Sequence, residues 1–120
     1  MKRALVCALL LLSACGGKGQ ARLEGNWKGT KTEGVPKEAQ LAADDFARNT
    51  SLEFKGDLLT IHSPRAVQSG KYKIKKEDKT SLVVVTDKDG DADPQTLTFV
   101  DPKTLKWAVF EGKVIVFTKQ

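Results

Sequence analysis

The sequence predicts an all-β fold, a small eight-stranded antiparallel up-and-down barrel with one helix after the first strand. Short segments of alternating or continuous apolar residues recur at near-constant spacing from residue 23 onward. Tight polar or glycine-containing turns separate these segments, and strands that are joined by tight turns run antiparallel. Eight strands are enough to close a barrel and remove its exposed edges, so the pattern fits a small barrel that is either open or closed.

The first strand and the helix follow each other at the start of the domain. The strand is predicted over 23–32 and contains Trp27. The segment 36–49 breaks the strand rhythm and predicts a helix, because Pro36 suits a first helical position. At about 100° per residue, its small and aromatic residues share a face opposite Asp44, and we expect this face to pack on the barrel. The residues of that face are Ala39, Ala42, Ala43 and Phe46.

Seven further strands are predicted after the helix. The strands 51–55 and 58–62 flank Gly56 and Asp57, a two-residue connection typical of a hairpin. The cleanest alternation lies at 69–76, where apolar residues face one way and lysines the other. The remaining four strands are predicted over 80–86, 95–100, 104–110 and 113–119.

The first fifteen residues have the layout of a secretory signal peptide. Residues 1–3 are a cationic start, 4–12 are apolar, and the small residues Ser13 and Ala14 precede Cys15. The apolar run is about half of the roughly 20 residues that span a bilayer, which disfavours a permanent transmembrane helix. Two alternatives remain, ordinary signal cleavage after Ala14 and lipoprotein processing at Cys15.

Residues 12–15, Leu-Ser-Ala-Cys, resemble the lipobox of bacterial lipoproteins. The resemblance implies cleavage between Ala14 and Cys15, a diacylglyceryl thioether on Cys15, and an acyl chain such as palmitate on the freed amine. Two or three chains hold a protein on a membrane far more firmly than one. Because Gly16 and not Asp follows the cysteine, the resemblance also implies an outer-membrane destination in a cell with two membranes, facing the periplasm or the cell surface.

The resulting organisation is a signal peptide over 1–14, a lipidated cysteine with a flexible tether over 15–22, and one barrel domain over 23–120. The two cysteines are Cys7, which leaves with the signal, and Cys15, so no disulfide is expected. The formal charge of +5 includes the cations of residues 1–3, Lys and Arg, whose removal leaves +3. This mild excess could favour an anionic membrane surface or wall polymer, but a solvated basic surface is the simpler interpretation. No nucleic-acid partner is expected.

Gly25, Asn26 and Trp27 lie near the start of the first strand. This Gly-x-Trp pattern resembles that of lipocalins, in which the Trp plugs the closed end of an eight-stranded barrel. With the helix after strand one and the Ser-Gly-Lys-Tyr sequence at 69–72, residues 23–120 resemble small lipocalin-like bacterial lipoproteins. The resemblance implies a structural role for Gly25 and Trp27, and a barrel interior that binds a small apolar ligand.

Four aspartates alternate with other residues before Pro94, at Asp87, Asp89, Asp91 and Asp93. Spaced carboxylates are what calcium requires. Ala92 and Thr98, however, stand where a calcium loop has its turn glycine and its bidentate glutamate. A long polar hairpin loop explains the same residues and is the favoured interpretation.

The sequence offers no convincing catalytic site. His62 is the one histidine, and neither a nucleophile nor further metal ligands accompany it in the mature chain apart from Cys15. We therefore expect a non-enzymatic protein without a cofactor.

The segments 82–85 and 114–117 are apolar on both strand faces, so something must cover their outer face. We predict an outer interaction patch formed by Val83, Val85, Ile115 and Phe117. A partner protein of the cell envelope, a second copy or the lipid surface could cover it.

Two binding functions compete on this basis. Side chains nearly fill a barrel of about 100 residues, which favours surface binding or a structural role in the envelope over carriage of a small apolar ligand. A cavity of several hundred cubic ångströms would reverse that order, because ligand pockets typically measure about 300–1,000 Å³.

Overall fold

The computed structural model describes residues 17–87, 93–110 and 112–120. Its strands form one closed antiparallel barrel, in which successive strands pair and β8 also pairs with β1. The predicted fold class is therefore confirmed, and the barrel is closed. The strands are β1 (Gly25–Glu33), β2 (Ser51–Lys55), β3 (Leu58–His62), β4 (Val67–Glu77), β5 (Ser81–Thr86), β6 (Gln95–Asp101), β7 (Thr104–Phe110) and β8 (Lys113–Lys119).

The up-and-down order gives the barrel two different ends. The turns after β2, β4 and β6 lie at one end, where the helix α1 (Gly17–Leu23) also packs; we call this the closed end. The connections after β1, β3, β5 and β7 lie at the opposite end, which we call the mouth. None of the helices within the described residues has the length and apolar character needed to cross a bilayer.

Helix α1 packs against the closed end, where the sequence predicts a flexible tether. Leu23 is fully buried, and its carbonyl oxygen accepts a hydrogen bond of 2.8 Å from the indole N–H of Trp27. Arg22 donates hydrogen bonds of 3.3 and 2.8 Å to the carbonyl oxygens of Asp78 and Lys79, in the β4–β5 turn. The tether prediction is thus wrong for residues 17–22, and the domain begins earlier than predicted. Cys15 lies outside the described residues.

The helix α2 (Gln40–Arg48), preceded by a 3-10 turn (Lys37–Ala39), confirms that one helix follows the first strand. Its predicted packing face is wrong except for Ala43, which is half-buried. Ala39, Ala42 and Phe46 are exposed, whereas Ala47 is buried. The face that meets β1 contains Gln40, Ala43, Asp44 and Ala47.

The reason for this orientation is the unpaired edge of β1. Residues 25–28 of β1 pair with β2, but the strand continues to Glu33 beyond the start of β2. In that stretch the Asp44 carboxylate accepts a hydrogen bond of 2.8 Å from the backbone N–H of Thr32. The Gln40 side chain donates to the Thr32 carbonyl oxygen at 3.1 Å. Backbone N–H and C=O groups that are removed from water need hydrogen-bond partners. The polar contacts with β1, and not the buried apolar area, therefore decide which face of α2 packs on the barrel.

Gly29 allows the helix to come this close. A Cβ atom at this position would lie 2.0 Å from the carbonyl oxygen of Ala47, which no side chain tolerates. The backbone N–H of Gly29 donates to the Thr50 carbonyl oxygen at 2.9 Å, just after the helix. The absent side chain therefore lets the end of α2 lie directly on β1.

The predicted outer patch does not form as one surface. Ile115 and Phe117 are 6% and 0% exposed and belong to the interior cluster, so their assignment to the outer face is wrong. Val83 is half-buried and Val85 is buried on the outside of β5. Both faces of β8 are apolar, and alternation alone does not tell which face turns inward.

The outer face of β8 is covered by an ion pair from its two neighbours. Lys106 lies opposite Val116 on β7, and Glu33 lies opposite Val114 on β1. The Lys106 ammonium donates to the Glu33 carboxylate at 2.9 Å, so these long side chains span the strand. Val116 is only 5% exposed beneath them, because the aliphatic stems of charged residues cover apolar surface well.

Candidate functional site

A cavity of about 360 Å³ occupies the mouth half of the barrel. Inward-facing side chains of β2 to β7 line it. Its volume lies within the range of roughly 300–1,000 Å³ that is typical of small-molecule pockets. The apolar wall includes Leu52, Leu59, Ile61, Val84, Trp107 and Val109.

The cavity ends where aromatic side chains fill the barrel. Phe54 lines the cavity and also packs edge-to-face on Tyr72, with ring centroids 5.3 Å apart. Trp27 and Phe99 pack below with centroids 6.1 Å apart. The expectation that side chains nearly fill the interior therefore holds in the closed half only, and the mouth half is hollow.

Polar side chains join the apolar wall near the mouth. They are Gln68, Thr86, Asp93 and Gln95, all close to the mouth ends of β4, β5 and β6. The indole N–H of Trp107 donates to Oε1 of Gln95 at 2.7 Å, which fixes the ring against the wall. Nε2 of Gln95 donates to the carbonyl oxygen of Asp93 at 3.3 Å. An apolar recess with a few polar groups at its entrance suits an amphiphilic ligand.

Gly25 and Trp27 lie at the closed end of the barrel. Trp27 is fully buried, bound to α1 through its indole N–H, and the Lys119 ammonium lies 5.6 Å from its ring centroid. Gly25 has a φ of +124°, a conformation that residues with a side chain rarely adopt. Both residues therefore shape the packed end and are remote from the mouth.

Among the described buried side chains, only the hydroxyl of Tyr72 has no hydrogen-bond partner. Burial, reinforced by the carboxylates of Glu24 and Asp57, raises the pKa of Tyr72 to about 12. The side chain of Gln20 lies close enough to oppose this shift slightly, but no hydrogen bond to the hydroxyl forms within the described chain. This group faces the packed half and does not line the cavity.

The remaining predicted sites are dispersed. Asp89 and Asp91 lie outside the described residues, as do Ala14 and Cys15. Asp87 is exposed beside Gly70, whereas Asp93 lines the cavity. Across residues 17–87, 93–110 and 112–120, no group of three or more His, Cys, Asp or Glu side chains could hold a metal ion.

His62 lies on the outside of the barrel. Its Nε2 is 3.9 Å from the Glu53 carboxylate, and both side chains are nearly half exposed. His62 also lines a surface depression together with Lys28 and Arg48.

Sequence reasoning missed Gln68, Thr86 and Gln95 as cavity residues and considered Asp93 only as part of a calcium or hairpin loop. Period-two alternation along β6 places Gln95 on the same face as Leu97 and Phe99, so an inward Gln could have been identified. An inward polar residue in an apolar strand face is informative, because it needs a hydrogen-bond partner inside. The hydrogen bond to Trp107 supplies that partner here.

The sequence matches no protein-family model, and no curated protein matches it at a significant level.

Proposed function

We propose that the protein binds a small apolar or amphiphilic ligand inside the mouth half of its barrel. The cavity of about 360 Å³ carries this proposal, because its volume lies within the range of roughly 300–1,000 Å³ that is typical of ligand pockets. A cavity of this size favours ligand binding over surface binding. Surface binding loses its main support, since Ile115 and Phe117 lie in the core and an ion pair covers β8. That the protein is not an enzyme and needs no cofactor stays a prediction.

We further propose that the chain is a lipoprotein of the cell envelope, anchored through Cys15 at the outer membrane. Helix α1 begins at Gly17, and two residues span at most about 7 Å. Because α1 packs against the closed end, a lipid on Cys15 would hold that end at the bilayer. The mouth would then face away from the membrane, so the ligand would enter from the aqueous side.

Cavity binding can be tested by filling the hollow. Val84 points into the cavity, whereas Val83 lies next to it on the outer face of β5. We expect Val84→Phe to abolish binding of the apolar dye N-phenyl-1-naphthylamine, because the ring occupies the space that the ligand needs. Val83→Phe is the matched control and should bind the dye as the parent does.

Dye fluorescence and far-ultraviolet circular dichroism of both variants measure this outcome. If folded Val84→Phe binds the dye as tightly as Val83→Phe does, ligands do not enter the barrel and the proposal is wrong.

The anchor is tested separately by Cys15→Ser. A lipidated parent should fractionate with membranes, and the variant should be released into the soluble fraction. Metabolic labelling with a palmitate analogue should mark the parent alone. Equal membrane retention of the two proteins would contradict the anchor proposal and leave cavity binding untouched.

A further inference from the structure

We propose that the cavity selects amphiphiles with a cationic headgroup over those with an anionic headgroup. This inference rests on the proposed ligand binding and adds the chemical class of the ligand. It is carried by the charge of the residues that line the cavity.

Asp93, an exposed residue at the rim, is the one charged residue among the described residues that line the cavity. The chain contains 20 Lys and Arg residues, yet none of them lines the cavity within the described part of the protein. On β4, for example, the lysines Lys71 and Lys73 are exposed, while Gln68 lines the cavity and Tyr72 fills the interior. The described residues that line the cavity of this basic protein thus contribute one negative charge and no positive charge.

An anionic headgroup would find few partners at this entrance. The indole N–H of Trp107 already donates to Gln95, and Nε2 of Gln95 already donates to the Asp93 carbonyl oxygen. A carboxylate or phosphate that enters would lose water and meet a like charge at Asp93, which disfavours its binding. A cationic headgroup meets the opposite charge, and the described residues form no ion pair with Asp93 that it would have to displace.

The size of the cavity sets the length of the apolar part. A volume of about 360 Å³ equals about twelve water volumes of roughly 30 Å³ each. A single alkyl chain of about ten to twelve carbons is of this order, so the cavity matches a single-chain amphiphile better than a two-chain phospholipid.

Three ligands with the same chain test the charge selection: dodecyltrimethylammonium, dodecanoate and the neutral dodecanol. Each competes with N-phenyl-1-naphthylamine at concentrations below micelle formation and at low salt. We expect the cation to bind about tenfold more tightly than the anion, with the alcohol between them.

Asp93→Asn should weaken binding of the cation about three- to tenfold and leave the alcohol unchanged, while Asp93→Lys should bind the anion more tightly than the cation. Asp45→Asn is the charge-matched control, because Asp45 lies exposed on α2 and 3.7 Å from Arg48. This control should keep the preference of the parent.

The possible outcomes separate the two proposals. If cation and anion bind equally, or if Asp93→Asn keeps the full preference, the charge selection is wrong while ligand binding stands. If neither the dye nor any of the three amphiphiles binds, cavity binding itself fails, and the charge selection fails with it.

Discussion

The two halves of this barrel share the same strands but treat their interior differently. The closed half is filled by Trp27, Phe54, Tyr72 and Phe99 and is covered by α1. The mouth half contains smaller side chains such as Val84 and Val109 around a hollow of about 360 Å³. Close packing is thus concentrated at one end, where it stabilises the fold, and the other end stays hollow.

The halves also differ in one buried polar group. Near the mouth, the half-buried Asp44 carboxylate, Gln40 amide and Trp107 indole all make hydrogen bonds. In the closed half, the Trp27 indole N–H is bound to the Leu23 carbonyl oxygen, but the buried Tyr72 hydroxyl has no partner within the described chain. Buried polar groups without partners cost stability, so the comparison can be tested by substitution in each half.

The largest difference should appear when each half loses its tryptophan. Trp27→Ala should lower the free energy of unfolding by about 3–5 kcal/mol, because Trp27 is fully buried in the packed half. Trp107→Ala should cost about 1–2 kcal/mol, since Trp107 is half-buried at the wall of an existing hollow. Urea unfolding measures both values.

Equal losses from the two tryptophan substitutions would show that the mouth half is packed as tightly as the closed half. The same experiment would then also weaken the case for a ligand cavity.

A second, pH-dependent difference concerns Asp44 at the mouth. Hydrogen bonds from the Thr32 hydroxyl and backbone N–H, helped by Gln40 and Arg48, lower the pKa of Asp44 below its ordinary value of 3.8, while burial opposes them. Because the folded pKa is below the unfolded one, this stabilisation is present above about pH 4 and is lost as the pH falls through the folded pKa.

Asp44→Asn should therefore lower the melting temperature at pH 7 and reduce the further loss between pH 4 and pH 2. Asp45→Asn, with an exposed carboxylate 3.7 Å from Arg48, is the control and should keep the parent's acid dependence. Thermal melts across this pH range provide the measurement. If the melting temperature of Asp44→Asn falls between pH 4 and pH 2 as much as that of the parent, the contact with Thr32 does not stabilise the position of α2.

The sequence predicts the barrel well because strand alternation and turn chemistry are local. The predicted strands 51–55 and 58–62 are the observed β2 and β3, and the order of eight strands follows directly. Local sequence patterns do not predict helix α1, the orientation of α2 or the cavity. Helix α1 contains Gly17 and Gly19, which disfavour a helix, and it is stabilised by distant contacts of Arg22 and Leu23.

The orientation of α2 and the cavity depend on contacts across the barrel. Apolar periodicity directs Phe46 inward, but the unpaired Thr32 backbone on β1 attracts Asp44 and leaves Phe46 38% exposed. The cavity arises because small side chains from several strands, including Val84 and Val109, meet at one level. Their register is not visible in any one strand, so the sequence could not predict the hollow.

The smallest expected effect, and the one of opposite sign, concerns the Tyr72 hydroxyl in the closed half. Tyr72→Phe removes a buried polar group without a partner and keeps the ring that packs on Phe54, so the free energy of unfolding should stay equal or rise by up to about 1 kcal/mol at pH 7. If Tyr72→Phe instead lowers the free energy of unfolding by more than about 1 kcal/mol, the hydroxyl has a hydrogen-bond partner such as a bound water.

The same residue gives an alkaline test that needs no further substitution. The pKa of Tyr72 is raised to about 12 from its ordinary value of 10.0, first by burial and then by Glu24 and Asp57. Because the folded pKa is the higher one, the associated stability is present below pH 10 and is lost as the pH rises toward 12. Tyr72 is the one tyrosine of the sequence, so tyrosinate absorbance reports it alone, and Tyr72→Phe should lose less stability than the parent over this range. Titration near pH 10 in the folded protein would contradict the buried position of the hydroxyl and the tight packing of the closed half.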